Sequence, residues 1–173
     1  MTFKNIDDFF LASQSYINQF NTWVEQTKPS ARADHLCYKC SDAVEFEFLR
    51  SLFETVSCFI YQSIISNRRI AIIKFQKPLE TVLGEVWFLE LSDQKTDGSQ
   101  TSGFDHLEIY PSSGSVEQLV KQLASQKVLL EKIVRPHHTT YDVNIAGSFK
   151  VRIEAESLVD KIKKTEMVFN LSS

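Results

Sequence analysis

The amino-acid sequence predicts an α+β fold: two βαβββ modules forming one cupped mixed β-sheet, with a helix at each end of the chain. Three observations predict this fold. The order strand, helix, three strands occurs twice, an Asp-His pair opens each copy, and a polar segment with two glycines separates the copies. The prediction is a single domain over residues 1–173, with modules at 33–93 and 104–155 and terminal helices at 5–27 and 157–167.

The first module and the helix before it follow from apolar spacing. Apolar residues near helical spacing predict a helix from Ile6 to Gln26, which ends before Pro29 because proline disfavours helix in the preceding residue. A strand at 33–40 precedes a helix that Ser41 or Asp42 caps and that runs to Val56. Three strands then follow, at 58–65, 69–76 and 85–91.

The second module repeats this order. A strand at 104–110 leads to a helix ending near residue 126, which begins with the capping-box pair Ser115 and Gln118. Strands follow at 128–134, 137–145 and 149–155, and the segment 157–167 has helical character.

Composition restricts the classes of partner. The net charge of -3 lacks the clustered basic residues of a nucleic-acid-binding protein, and no apolar run reaches the roughly 18 residues of a membrane helix. Three cysteines, an odd number, and a first segment without a signal sequence predict a reducing, cytoplasmic environment. We therefore expect a small-molecule partner, no nucleic acid, no membrane, and a monomer or homodimer.

Strand alternation places chemically active side chains on one face of the predicted sheet. His35 and Glu90 lie on the first and last strands of the first module, and His106 and Glu154 lie at the same places in the second. A two-fold relation between the modules would bring the four side chains together. Imidazole and carboxylate ligands suit a divalent metal such as Zn, Ni, Mn or Fe, so the four residues are predicted to be metal ligands.

The residues Ala33-Asp34-His35, the run 105–109 and the strand 150–154 followed by Ser157-Leu158 resemble the bacterial YecM-like family. That family is similar in fold to the vicinal-oxygen-chelate superfamily of glyoxalases and dioxygenases. The resemblance covers about residues 5–165. It implies metal binding, with His35, Glu90 and His106 at the first-, fourth- and fifth-strand ligand positions. Glu154 occupies the eighth-strand position, where some relatives carry His.

The resemblance also implies a function. It predicts a metal-dependent lyase or isomerase that chelates a small oxygenated metabolite through two oxygens, with Glu154 or Glu90 as the catalytic base. His138, Tyr141 and Arg152 are the predicted substrate-binding residues. Two alternatives stay open: a non-catalytic protein that binds a metal or metabolite, and an iron-dependent dioxygenase.

Other residues near these positions have simpler predicted roles. Asp34 and Asp105 could accept hydrogen bonds from the imidazoles and orient them, but alternation directs both to the face opposite the histidines, so exposure or a contact with a helix is expected for them. Glu108 is expected to form a salt bridge with Arg152 across the sheet. Cys37 is expected to line the cavity, and His137 and His138 are expected to point in opposite directions.

Overall fold

The computed structural model describes residues 3–65, 67–135 and 138–171, with side chains through residue 164. The chain forms four helices and eight strands in the order predicted. The elements are α1 (Ile6–Thr27), β1 (Ala31–Lys39), α2 (Ala43–Glu54), β2 (Ser57–Ile65), β3 (Arg68–Thr81), β4 (Gly84–Ser92), β5 (Gly103–Pro111), α3 (Val116–Ser125), β6 (Glu131–Val134), β7 (Thr139–Ala146), β8 (Phe149–Ile153) and α4 (Leu158–Leu171).

All eight strands belong to one mixed sheet with the order β2-β3-β4-β1-β5-β8-β7-β6. Within each module the first and last strands pair in parallel, β1 with β4 and β5 with β8. The modules join where β1 and β5 pair antiparallel at the centre of the sheet. This arrangement confirms the predicted fold class, and it brings the first strands of both modules side by side.

The core lies between one face of the sheet and helices α1, α2 and α3. Phe9 and Phe20 of α1 are fully buried, and Phe9 packs against Phe53 of α2 and Tyr38 of β1. We call the opposite side of the sheet the polar face, because His35, Glu108 and Asp142 are buried there.

The helices begin where the sequence supplies a capping side chain. The Asp42 carboxylate accepts a hydrogen bond from the backbone N–H of Glu45 and starts α2. Ser115 and Gln118 form the predicted capping box at the start of α3. No helix within the described ranges has both the length and the apolar character of a membrane span.

Two β-bulges interrupt the ladder between β1 and β5. Ala33 pairs with Ile109 and Leu36 with Leu107, so Asp34 and His35 together face the single residue Glu108. A second bulge lies on β5, where Cys37 pairs with His106 and the next residue of β1, Tyr38, pairs with Phe104, leaving Asp105 as the extra residue. Each bulge therefore contains one of the two Asp-His pairs.

Some strands differ in length from the sequence prediction. β3 continues to Thr81, past Pro78, because an irregularity between residues 74 and 79 breaks the β3–β4 ladder where the proline lies. β6 begins only at Glu131, and β8 ends at Ile153, so Glu154 lies just beyond the last strand. His137 lies outside the described residues.

Candidate functional site

Strand pairing aligns the centre of the polar face. Glu90 on β4, Cys37 on β1 and His106 on β5 lie in one line across the sheet. The rings of His35 and His106 lie 5.9 Å apart between their centroids. Both imidazoles are almost completely buried, with 1% relative exposure each. The pairing thus brings together His35, His106 and Glu90, three of the four predicted ligands.

His35 lies among carboxylates. Its Nδ1 is 2.9 Å from Asp34 Oδ2 and 3.9 Å from Glu108 Oε1, and its Nε2 is 3.6 Å from Glu90 Oε2. Burial lowers the pKa of His35, but the charge of Glu108, the contact with Asp34 and the nearby carboxylate of Glu90 outweigh it, so the pKa lies well above its ordinary value. Among the described residues, His35 Nε2 is one of two buried side-chain atoms without a hydrogen-bond partner.

His106 has the opposite electrostatic environment. Its Nδ1 is 2.8 Å from Asp105 Oδ2, but its Nε2 lies 3.4 Å from Nη1 of Arg152. Burial and the charge of Arg152 lower the pKa of His106 to about 4, against the opposing effect of Asp105. The imidazole of His106 is therefore neutral at physiological pH, and the position of Asp105 favours the tautomer with its proton on Nδ1.

The prediction that Asp34 and Asp105 face away from the histidines is wrong. The two bulges interrupt side-chain alternation at each Asp-His pair, so each carboxylate contacts the imidazole that follows it. Asp34 Oδ2 also accepts a hydrogen bond of 2.9 Å from the backbone N–H of Leu158 at the start of α4. Asp105 Oδ1 pairs with Lys39 at 2.5 Å.

Arg152 is fixed by a carboxylate other than the predicted one. Its Nε and Nη2 donate to the two carboxylate oxygens of Asp142 at 2.8 Å each, in a bidentate pair. Asp142 raises the pKa of Arg152 despite burial, and Arg152 lowers that of Asp142. Glu108, the expected partner, lies opposite Arg152 in the ladder but pairs with Lys161 among the described residues. The Glu108–Arg152 prediction is therefore wrong.

Glu108 belongs to the centre of the site. A carboxylate oxygen of Glu108 and one ring nitrogen each of His35 and His106 lie within 4.8 Å of one another, close enough for one metal ion. Burial raises the pKa of Glu108 to about 7, although His35 and Lys161 lower it. Alternation already placed Glu108 on the same face as His106. The role of Glu108 was not predicted because the bulge at Asp34-His35 interrupts the alternation of side chains and brings His35 opposite Glu108.

The pKa of Glu90 is shifted in the opposite direction from that of Glu108. Burial favours the neutral form of Glu90, but the neighbouring imidazole of His35 holds its pKa below the usual range. The thiol of Cys37 donates to Glu90 Oε1 at 3.4 Å, so Cys37 contacts a carboxylate at the site. Cys37, Asp105 and His106 form a second group with donor atoms within 4.8 Å of one another.

Glu154 lies beside this centre. Its Oε1 is 3.2 Å from Nζ of Lys161 and 3.6 Å from Nε2 of His138. Lys161 also pairs with Glu108 at 3.3 Å and so bridges the two carboxylates. Neither Glu154 nor Glu90 is in either of the two groups of potential ligands among the described residues, so the ligand role of each stays a prediction.

A cleft of about 640 Å³ opens next to Glu154. His138, Tyr141, Glu154 and Lys161 are among the residues that line it. Two predicted substrate-binding residues, His138 and Tyr141, thus share one cleft, and Arg152 lies deeper, against His106. Their role in substrate binding stays a prediction.

Two βαβββ modules in one mixed sheet, each opened by an Asp-His pair, define the glyoxalase-like class of fold. The family model described as YecM protein matches residues 4–165, and the chain belongs to the YecM family. No curated protein matches the chain in sequence.

Solved structures show the fold. A structure described as protein EC4020, from structural genomics, has a TM-score of 0.74 and 16% identity and covers 93% of each chain. A Streptomyces coelicolor methylmalonyl-CoA epimerase variant in complex with 2-nitronate-propionyl-CoA has a TM-score of 0.46 and 14% identity, over 72% of this chain and 98% of the epimerase. A Listeria monocytogenes fosfomycin resistance protein complexed with Mn(II) and 1S,2S-dihydroxypropylphosphonic acid has a TM-score of 0.29 and 13% identity. That match covers 75% of this chain and 95% of the resistance protein. Only the first similarity is strong enough to establish the fold.

Proposed function

We propose that the chain is a metal-dependent enzyme of the vicinal-oxygen-chelate type that acts as a lyase or isomerase on a small oxygenated molecule. His35 and His106 would hold a divalent metal such as Zn, Ni, Mn or Fe, together with Glu108 and Glu90. Glu154, at the edge of the same face, is a further candidate ligand.

The buried Nε2 atom of His35 carries this proposal. A buried polar atom without a partner is costly, and such atoms are rare in folded proteins. This one is directed toward Glu90 at 3.6 Å, in a cluster that also contains His106 and Glu108. The donor set, two imidazoles and two carboxylates, fits a divalent transition metal. Because a metal ligand must be deprotonated, binding would release the proton that the carboxylates now hold on His35.

Asp34 and Asp105 support the same proposal. An imidazole that ligates a metal through one nitrogen usually donates the N–H of the other to a carboxylate or carbonyl. Each aspartate lies within 2.9 Å of the Nδ1 atom of its histidine, which leaves both Nε2 atoms directed to the polar face.

The chemistry supplied by a bound metal would be Lewis-acid stabilisation of negative charge on a substrate oxygen. The chain's own residues would move protons. His35 holds the pKa of Glu90 low, so Glu90 could accept a proton, whereas burial raises the pKa of Glu108, so Glu108 could hold one. Two carboxyls with pKa values displaced in opposite directions are suited to the roles of base and acid. Glu154, the other predicted base, lines the cleft and would meet the substrate there.

Arg152 and the cleft would position the substrate. The guanidinium group is held by Asp142 and lies 3.4 Å from His106, so it would face a substrate anion beside the metal. His138 and Tyr141 line the opening through which the rest of the molecule would enter.

One observation favours iron-dependent oxygen chemistry as a second candidate. Two histidines and one carboxylate, as in the group His35, His106 and Glu108, are the ligand set of many non-haem iron oxygenases. Lyase or isomerase chemistry would proceed with redox-inactive Zn, whereas oxygenase activity would require Fe(II).

Metal analysis tests the proposal. We expect about one equivalent of metal in protein purified without chelators or loaded with Zn, Ni, Mn or Fe. His35→Ala and His106→Ala should lose it, and His138→Ala, a matched change on an exposed histidine, should keep it. A wild-type protein that retains none of the four metals would refute the metal site.

A further inference from the structure

Lys161 approaches the site from outside both modules. It lies on α4, and its Nζ is 3.3 Å from Glu108 Oε1 and 3.2 Å from Glu154 Oε1. The same Glu108 carboxylate is near both imidazoles, within 4.8 Å of a ring nitrogen of each. The ammonium group is therefore a cation placed against the carboxylate that is a candidate for holding a metal ion.

Helix α4 has a second contact with the site. The backbone N–H of Leu158 donates to Asp34 Oδ2, the oxygen that also contacts His35 Nδ1. The first residue of α4 thus contacts the carboxylate that orients His35. Lys161, about one turn further along the helix, contacts Glu108. Lys161 is three positions after Leu158, so both contacts come from the first turn of the helix.

We propose that Lys161 competes with the metal ion for Glu108 and Glu154, so that its ammonium group must withdraw before a metal ion can bind those carboxylates. This inference rests on the metal site of the proposed function. It identifies a residue that sets the metal affinity of the site without being a ligand.

Simple electrostatics supports the competition. Two positive charges about 4 Å apart near a protein surface repel each other strongly, so the ammonium group and a divalent ion do not share one carboxylate oxygen at low cost. Lys161 has a long flexible stem and is partly exposed to the cleft, so it can withdraw there without unfolding the sheet. The ammonium group keeps the two buried carboxylates neutralised when no metal is bound, and a metal ion would replace it in that role.

The affinity of the metal-free protein for Zn²⁺ tests this inference. Competition with a chromophoric chelator should show that Lys161→Met binds Zn²⁺ about ten-fold more tightly than wild type. Lys161→Arg, which keeps the charge, should bind no more tightly than wild type. Lys164→Met is the matched control: Lys164 is on the same helix and cleft but pairs with Glu156, so its affinity should be unchanged.

The outcomes separate this inference from the proposed function. Equal or weaker binding by Lys161→Met, with Zn²⁺ bound to wild type, would overturn the inference and leave the metal site standing. No Zn²⁺ binding by either protein would overturn both.

Discussion

Glu90 and Arg152 occupy equivalent positions in the two modules and carry opposite charges. In the first module Glu90 lies opposite Cys37, two residues after His35; in the second, Arg152 lies opposite Glu108, two residues after His106. Each approaches the Nε2 atom of its own module's histidine, at 3.6 and 3.4 Å. Arg152 adds to the burial that lowers the pKa of His106, whereas Glu90 acts with Glu108 and Asp34 to raise the pKa of His35 against its burial.

Replacement of Arg152 should raise the pKa of His106. In Arg152→Gln the charge that disfavours the imidazolium is absent, while burial and Asp105 are unchanged, so the pKa should move up from about 4. NMR titration of the metal-free protein measures it. Arg50→Gln, on α2 and paired with Glu54, is the control and should leave the value unchanged. An unchanged pKa in Arg152→Gln would mean that burial alone depresses it.

The aspartates that contact the histidines should matter for metal affinity. Asp34→Asn and Asp105→Asn each remove a carboxylate that orients an imidazole, and loss of such a partner typically weakens metal binding about 10–100-fold. Zn²⁺ competition titrations measure the change, with Asp97→Asn on an exposed turn as the control. Wild-type affinity in both variants would show that the Asp-His contacts are purely structural.

Glu108 and Glu154 should differ as ligands. Glu108 lies in the cluster with both histidines, whereas the described contacts of Glu154 are with Lys161 and His138. Glu108→Gln should therefore weaken Zn²⁺ binding more than the isosteric change Glu154→Gln, which serves as its matched partner. The reverse order would identify Glu154 as the principal carboxylate ligand.

The Asp142–Arg152 pair should make stability depend on pH. The folded-state pKa of Asp142 is lowered because the interaction with Arg152 outweighs the effect of burial. The stabilising contribution of the ionised Asp142 is therefore fully present above the unfolded pKa of 3.8 and is lost as the pH falls through the folded pKa. Urea unfolding of metal-free protein should show that Asp142→Asn is least stable relative to wild type near pH 6. The difference should shrink below about pH 4. A constant difference from pH 6 to pH 3 would exclude this linkage.

The core between α1 and the sheet should be sensitive to truncation. Phe9 is fully buried against Phe53 and Tyr38, and Phe9→Ala should lower the free energy of unfolding by about 3–5 kcal/mol. Leu11, on the same helix, is 77% exposed, and Leu11→Ala should change the free energy of unfolding by no more than about 0.5 kcal/mol. Urea denaturation measures both. Equal effects would contradict the packing of α1 described above.

Much of the fold could be predicted because the sequence marks its elements locally. The apolar spacing of α1, the capping box at Ser115 and the alternation in β5 all depend on residues that are close in sequence. The proximity of His35, His106 and Glu90 was predictable as well, because module order and side-chain face together fix where these side chains lie.

Alternation argued against an orienting role for the aspartates, and it was misleading because the period of two fails at a bulge. The sequence carries the signal: Ala33 and Leu36, and likewise Phe104 and Leu107, are core residues three positions apart, and an odd separation between two residues on one face requires an extra residue. In both strands the two intervening residues are Asp-His. Lys161 was missed for another reason: no local pattern shows how a terminal helix packs against a distant strand.

The bulge in β1 has a consequence for how such a site can arise or disappear. Ala33 and Leu36 already pair with core residues of β5 on either side of it, so deletion of Asp34 would leave a regular ladder, with His35 alone opposite Glu108. In each half of the sheet the acid that orients the imidazole thus lies at a bulge, where one residue more or less is accommodated without shifting the core residues on either side. Gene lineages could acquire or lose this acid–imidazole pair by a single in-frame event while the hydrophobic core is inherited unchanged.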